Sequence, residues 1–294
     1  KIFLFGFSRG AYTVRTLLGL IETCGIPDRN KFAADAELVK AANASYSEYR
    51  DKYRTLWGRL FRKDYVVDDP ERRKRLSAVA HEEHAPGGMV KVEFIGVWDT
   101  VSAVGTPFEG LADFWNAFVY PFRFHDQRLT KQVNRACHAM SIDDERLTFH
   151  PTVWDESTKT HDGQIEQVWF AGVHSNVGGG YPKQGMSLVT LDWMVAEAQA
   201  HGLRFIAADK QSFSEHRDVH DKLYDSRAGL AVYYRWDPRD IAAICAKNSI
   251  TPKIHVSVLE RAAQGTAGYA PGNLPVNLEI VGTRGSTGPA DMVA

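Results

Sequence analysis

Cysteine is scarce and scattered. The 294 residues hold three, Cys24, Cys137 and Cys245, too far apart and odd in number for a disulfide framework or a zinc site built from close ligand pairs. They read as core or incidental thiols. No apolar run approaches the roughly 18 residues of a spanning helix, and no segment has the basic, apolar and small-residue order of a signal peptide. An excess of charge is missing too. Thirty-five Lys and Arg against 36 Asp and Glu leave a net charge of -1, which excludes a broad electrostatic claim on nucleic acid or an anionic membrane. Repeats and low-complexity tracts are also lacking. What the chain has is apolar residues, 44% of the total, enough for a substantial core in one large domain or two small ones. It opens on Lys1 rather than Met and enters an apolar strand at once, so a processed or excised sequence is expected, with part of a domain lying outside it.

Ile2-Phe3-Leu4-Phe5 reads as a buried strand. Gly6 to Ala11 follows, and then Tyr12, Val14, Leu17, Leu18 and Ile21 fall at helical spacing before Gly25 and Pro27. A second apolar run, Val90 to Val97, ends at Trp98-Asp99-Thr100; a third, Val168 to Val173, ends at His174-Ser175-Asn176 and three glycines. Near-continuous apolar runs of this kind suit strands covered on both faces. Helical patterns between and after them, such as Leu188, Leu191, Met194, Val195 and Ala198, imply an α/β domain with a mainly parallel sheet and helices on both faces. The whole of 1–294 is read as one catalytic domain. Residues 31–84 form a polar helical insertion within it, whose stripe of Tyr46, Tyr49, Tyr53, Trp57 and Phe61 is core packing or, given six basic residues from Arg50 to Lys63, a lipid-facing surface. The aromatic-rich segment at 108–126 is either a lid or acyl pocket, or a helix packed on the sheet. The tail from Gly265 onward reads as loop.

The sharpest chemical signal is Gly6-Phe7-Ser8-Arg9-Gly10, a G-x-S-x-G pentapeptide. Chance supplies one about 0.1 times in a chain this long, so its setting between a strand and an amphipathic helix is what makes it a nucleophile elbow. A serine hydroxyl near neutral pH needs a base, itself oriented by a carboxylate. Parallel strands deliver both from one sheet edge, and two other strands end in Asp99 and His174. The order Ser, Asp, His is that of α/β-hydrolases. A capping or turn role is the alternative for Asp99. Among eleven histidines, His255 in Ile254-His255-Val256 is the rival base, while His81 and His84 in His-Glu-Glu-His lack zinc-motif spacing and read as a solvated helix face. His174 is preferred because the glycines after it leave room for substrate. Gly178-Gly179-Gly180 lacks the company of a phosphate cradle. The backbone N–H of Arg9 is the expected first oxyanion donor, and the second is expected from a loop outside this sequence. No metal or cofactor is called for.

Gly-Phe-Ser-Arg-Gly-Ala at 6–11, Gly-Val-Trp-Asp-Thr-Val at 96–101 and Phe-Ala-Gly-Val-His-Ser-Asn-Val-Gly-Gly-Gly-Tyr at 170–181 together resemble the α/β-hydrolase catalytic domain of phospholipase effectors delivered by bacterial type VI secretion. Ile-His-Val-Ser-Val-Leu at 254–259 and Asn-Leu-Pro at 273–275 look like later blocks of the same family, which a wider set of bacterial and fungal proteins shares. The resemblance implies Ser8 as nucleophile, Asp99 as orienting acid, His174 as base, and phospholipid acyl esters as substrate. It also implies transient contact with a membrane surface, secretion-apparatus and immunity proteins as partners, and export from the bacterial cytoplasm to a target-cell periplasm. Position 176 is Asn where the family more often has Asp, which leaves Asp99 as the acid. The family's leading strands and Asp-Gly-Thr segment are not in this sequence. Hydrolysis of small soluble esters, or an inactive hydrolase-like binding module, are the alternative readings.

Overall fold

A computed structural model describes residues 1–51, 69–82, 91–101 and 129–284. The aromatic segment at 108–126 and most of the stripe at 53–61 lie outside the described residues. Strand β1 (Ile2–Phe7) leads into helix α1 (Arg9–Cys24), which is followed by α2 (Asp35–Asp51) and α3 (Pro70–Val79). The central strands are β2 (Val92–Trp98), β3 (Val133–Ser141) and β4 (Ile165–Phe170). After them come α4 (His174–Gly178), α5 (Gly185–Ala200), α6 (Ala207–His216), α7 (Ile241–Lys247), β5 (Lys253–His255), α8 (Val256–Ala263) and β6 (Glu279–Val281).

Among the described residues the six strands are all parallel and neighbour one another in sequence order, β1-β2-β3-β4-β5-β6. This is the α/β architecture that the apolar runs imply. Successive side chains on a strand point to opposite faces, and β2 displays the division. Ile95 and Val97 pack with Ala11 and Leu18 of α1 and with Trp154 on one face. Phe94 packs with Trp193 and Met194 of α5 on the other. Both faces are therefore covered, and β2 to β4 are almost wholly buried.

The strand β3 is the element that apolar patterning misses. Asn134, Arg135 and His138 interrupt its run, yet Arg135 and His138 are fully packed. Arg135 is satisfied by Glu197 of α5 at 2.6 Å, and His138 accepts the Thr100 N–H at 3.1 Å. Polar groups can occupy a buried strand when each finds such a partner. In the 31–84 region α2 and α3 are helical; Tyr49 is buried beside Cys24 and Leu76, whereas Tyr46 is exposed. His81 lies just past the end of α3, its N–H donating to the Ile26 carbonyl, and His84 lies outside the described residues. The three cysteines are buried and none forms a disulfide.

Candidate active site

A parallel sheet presents all its strand C-termini along one edge, and the ladder bonds here continue past the strands and fix the residues just beyond them. The Ser8 N–H donates to the Trp98 carbonyl at 3.0 Å, and the Asp99 N–H to the Ala139 carbonyl at 2.8 Å. The Ile142 and Asp143 N–H groups donate to the carbonyls of Phe170 and Gly172 at 3.0 and 3.1 Å. The ends of β1, β2 and β4 are thus held in register by the same hydrogen bonding that builds the sheet.

Ser8 sits at the turn from β1 into α1 with φ 57° and ψ -125°. Only glycine adopts such a left-handed φ without strain, at a cost to other residues of order 1–3 kcal/mol. Asp99, at φ 38°, is strained in the same way. The turn is tight enough that a β carbon at position 6 would stand 2.6 Å from the Gly10 carbonyl oxygen and 2.7 Å from the Ala11 Cα. A β carbon at position 10 would meet nothing within 4 Å among the described residues, so the close approach requires glycine at 6 and not at 10. Serine at a helix N-cap ordinarily turns its hydroxyl back to an N–H of the first turn. The Ser8 side chain does not cap α1. Its hydroxyl instead donates to His174 Nε2 at 2.8 Å.

His174 opens α4, four residues beyond the end of β4, and is 5% exposed. Its Nδ1–H donates to Asp99 Oδ2 at 2.6 Å, and its backbone N–H donates to Asp144 Oδ2 at 3.1 Å. The neighbouring Gly172 N–H donates to Asp143 Oδ2 at 2.6 Å, so two consecutive carboxylates after β3 grip the turn that carries the imidazole. The rings of Phe7 and Phe149 flank His174 at centroid distances of 4.6 and 5.0 Å. Ser8, His174 and Asp99 therefore meet in one hydrogen-bonded chain, with the imidazole in the middle.

Asp99 has no solvent exposure. Arg239 donates to Oδ1 at 2.6 Å and to Oδ2 at 2.8 Å, while Ser141 donates its N–H to Oδ1 at 3.0 Å and its hydroxyl to Oδ2 at 3.2 Å. Burial alone would raise this carboxyl, but the charge and hydrogen bonds of Arg239, with those of His174, outweigh it and hold Asp99 far below the usual carboxylate range. Arg239, Ser141, Asp143 and Asp144 belong to no recognisable motif. Arg239 lies 140 positions from its carboxylate, in Asp-Pro-Arg-Asp, and spacing alone carries no signal for a pairing that distant.

His255 ends β5 and is buried, stacked on Phe170 and bonded to Ser257 at 2.8 Å and Thr283 at 3.2 Å. Burial pushes its pKa down to about 3. Asn176 has a scaffolding position: its side chain accepts the Tyr224 N–H at 3.2 Å and donates to the Lys222 carbonyl at 3.0 Å. The first-turn N–H groups of α1 lack intrahelical acceptors by geometry, and that of Arg9 is among them. No three His, Cys, Asp or Glu side chains are grouped as metal ligands would be among the described residues.

The family model for the type VI secretion (T6SS) phospholipase effector Tle1-like catalytic domain matches residues 1–197. The chain belongs to this family. The matched span includes Ser8, Asp99 and His174, whereas Arg239 and His255 lie beyond it. Among solved structures, the Tle1-like chain is similar to an uncharacterized protein from Pseudomonas aeruginosa, at 18% identity and a TM-score of 0.37. That similarity covers 93% of this chain and 33% of the other, so the chain spans about a third of the length of that protein. No curated protein matches the sequence. Among the described residues, no helix of the Tle1-like chain is long and apolar enough to cross a membrane.

Proposed function

We propose that this Tle1-like domain is a serine hydrolase of phospholipid acyl esters, with Ser8 as nucleophile, His174 as general base and Asp99 as the group that orients it. The observation that carries the reading is the continuous chain from Ser8 Oγ to His174 Nε2 at 2.8 Å and from His174 Nδ1 to Asp99 Oδ2 at 2.6 Å. Both links lie within the reach required for proton transfer. Membership of a phospholipase effector family supports the substrate class.

In the reaction, Ser8 Oγ attacks the acyl carbonyl carbon as its proton passes to His174 Nε2. The carbonyl oxygen becomes an oxyanion, for which the Arg9 backbone N–H at the start of α1 is the assigned donor. Collapse of the tetrahedral intermediate breaks the ester C–O bond, and His174 returns the proton to the departing glycerol oxygen. Water then attacks the acyl-serine, giving its proton to the same nitrogen, and the fatty acid leaves as Ser8 Oγ is reprotonated. Asp99 supports the transient imidazolium without itself taking a proton.

The reading extends to one catalytic domain over 1–294 with its insertion at 31–84 and an aromatic lid or pocket at 108–126. It extends likewise to type VI delivery into a target-cell periplasm, transient contact with a membrane surface, and secretion-apparatus and immunity proteins as partners. Release of fatty acid from phosphatidylethanolamine–phosphatidylglycerol vesicles by the full-length protein tests the function. The Ser8→Ala variant is expected to fold and to lose release by roughly 10³-fold or more. Undiminished release from that variant would remove Ser8 from the mechanism.

A further inference from the structure

A carboxylate offers about four lone-pair positions, and that of Asp99 receives five donors. Oδ1 accepts from the Ser141 N–H and from Arg239; Oδ2 accepts from the Ser141 hydroxyl, Arg239 and His174 Nδ1. The guanidinium and the imidazole therefore share one oxygen atom, at 2.8 and 2.6 Å. Arg239 is itself fixed. It also donates to the carbonyls of Ser141 at 2.6 Å and Phe149 at 2.5 Å. Its own carbonyl accepts from Asn273, whose side chain also bonds the Ile142 carbonyl. Asp240, the next residue, caps α7 through the Ala243 N–H. On the preceding side, Trp236 bridges Arg146 and the Asp237 N–H donates to the Glu145 carbonyl.

A buried cation placed there has two effects. The carboxylate cannot rotate, so the Nδ1–H of His174 has one acceptor position and Nε2 is aimed at Ser8. The cation also offsets the charge of Asp99. A triad carboxylate stabilises the imidazolium that forms beside it. Here, protonating His174 would place an imidazolium two hydrogen bonds from a guanidinium, and like charges at that range repel by a few kcal/mol at an effective dielectric of about 20. The other groups facing the imidazole are Ser8, the backbone-bonded Asp144 and the rings of Phe7 and Phe149. Arg146 stands beyond Phe149 and is paired with Asp144.

We propose that Arg239 is a positioning residue for the Ser8–His174 pair: it locks the Asp99 carboxylate in place and offsets its charge, so that the His174 Nδ1–H keeps one acceptor position and Nε2 stays aimed at Ser8. The inference rests on the serine hydrolase reading, and its primary readout is independent of turnover.

The test is the ¹H–¹⁵N signal of the His174 Nδ1–H in the full-length protein, with kcat and KM of vesicle hydrolysis measured in parallel. Arg239→Met removes the charge and the two donors to Asp99 at similar length. It is expected to shift or broaden the Nδ1–H signal and to lower kcat by about 10-fold or more while KM stays within about twofold. Arg239→Lys keeps the charge and is expected to restore the signal in part, with intermediate kcat, and it carries the test if Arg239→Met fails to fold. A merely structural Arg239 would leave the Nδ1–H signal of both folded variants where it stands in the unmodified protein, and that result overturns the proposal. A displaced Nδ1–H signal in a protein that never releases fatty acid would uphold the role of Arg239 and overturn the hydrolase reading instead.

Discussion

Gly178 lies directly against Phe7: a β carbon on the glycine would stand 2.0 Å from the ring. The contact joins the end of β1 to the helix just beyond β4, and the same ring lies 4.6 Å from the His174 imidazole. Phe7 precedes Ser8, so one aromatic side chain spaces Ser8 from His174. Gly178→Ala has no relief except movement of that ring. It is expected to lower the turnover of vesicle hydrolysis by about tenfold or more, since misplacements near 1 Å cost about 10²-fold. Steady-state kinetics with a check of folding by circular dichroism measures it; unchanged turnover would show that the spacing is not critical.

The two glycines of the elbow should behave differently. Gly6→Ala places a β carbon 2.6 Å from the Gly10 carbonyl oxygen, whereas Gly10→Ala meets nothing within 4 Å among the described residues. Gly6→Ala is expected to destabilise the fold by roughly 1–3 kcal/mol, in the range for overpacking, and to abolish most activity. Gly10→Ala is expected to change stability by less than about 1 kcal/mol. Urea denaturation of both variants decides it, and equal effects would contradict the geometry.

The G-x-S-x-G pattern thus states more than the backbone demands, since only its first glycine is sterically enforced. Much of the candidate site's geometry was still legible. An apolar run that ends abruptly in a polar residue marks a strand C-terminus, and three such endings delivered Ser8, Asp99 and His174 to one edge. What stayed illegible depends on pairing across long stretches of chain. The strand β3 carries Arg135 and His138, which look polar until Glu197 and the Thr100 N–H are found beside them. Arg239 is an ordinary arginine in sequence and gains its meaning only from Asp99, while Asp143 and Asp144 act through backbone N–H groups that no motif records.

His255 separates two readings of one residue. Its environment holds it uncharged, with a pKa of about 3 against 6.5 for an ordinary histidine, because it is buried and because Arg217 repels its proton. A histidine depressed in the fold contributes stability that is present above its unfolded pKa and lost as pH falls from 6.5 towards 3. His138, lowered to about 3 chiefly by burial, acts in the same sense. His255→Gln is therefore expected to flatten the loss of stability between pH 6.5 and 4 while leaving turnover within a few-fold. His174→Ala is expected to eliminate turnover. Loss of turnover in His255→Gln alone would make His255 the base.

Asp143 works in the opposite direction. Burial raises its pKa from 3.8 to about 6, partly offset by the Gly172 N–H and the Tyr269 hydroxyl. A carboxyl raised in the fold opposes folding increasingly as pH rises from 3.8 to 6, and its full cost remains above that range. Asp143→Asn keeps an acceptor for Gly172 and removes the ionisation. Relative to the unmodified protein it is expected to gain roughly 2 kcal/mol between pH 4 and pH 7. Urea midpoints at those two values measure it, and a constant difference between variant and parent would contradict the assignment.

The central claim is that Ser8 is an activated nucleophile, and reaction with a fluorophosphonate tests it most directly, because such a probe phosphonylates only a serine whose proton a base can take. Intact-mass and peptide analysis of the full-length protein should show one adduct, located on Ser8, that disappears in Ser8→Ala and in His174→Ala but persists in His255→Gln. No adduct on the unmodified protein, or an adduct elsewhere that survives Ser8→Ala, would contradict the account and favour a hydrolase-like binding module.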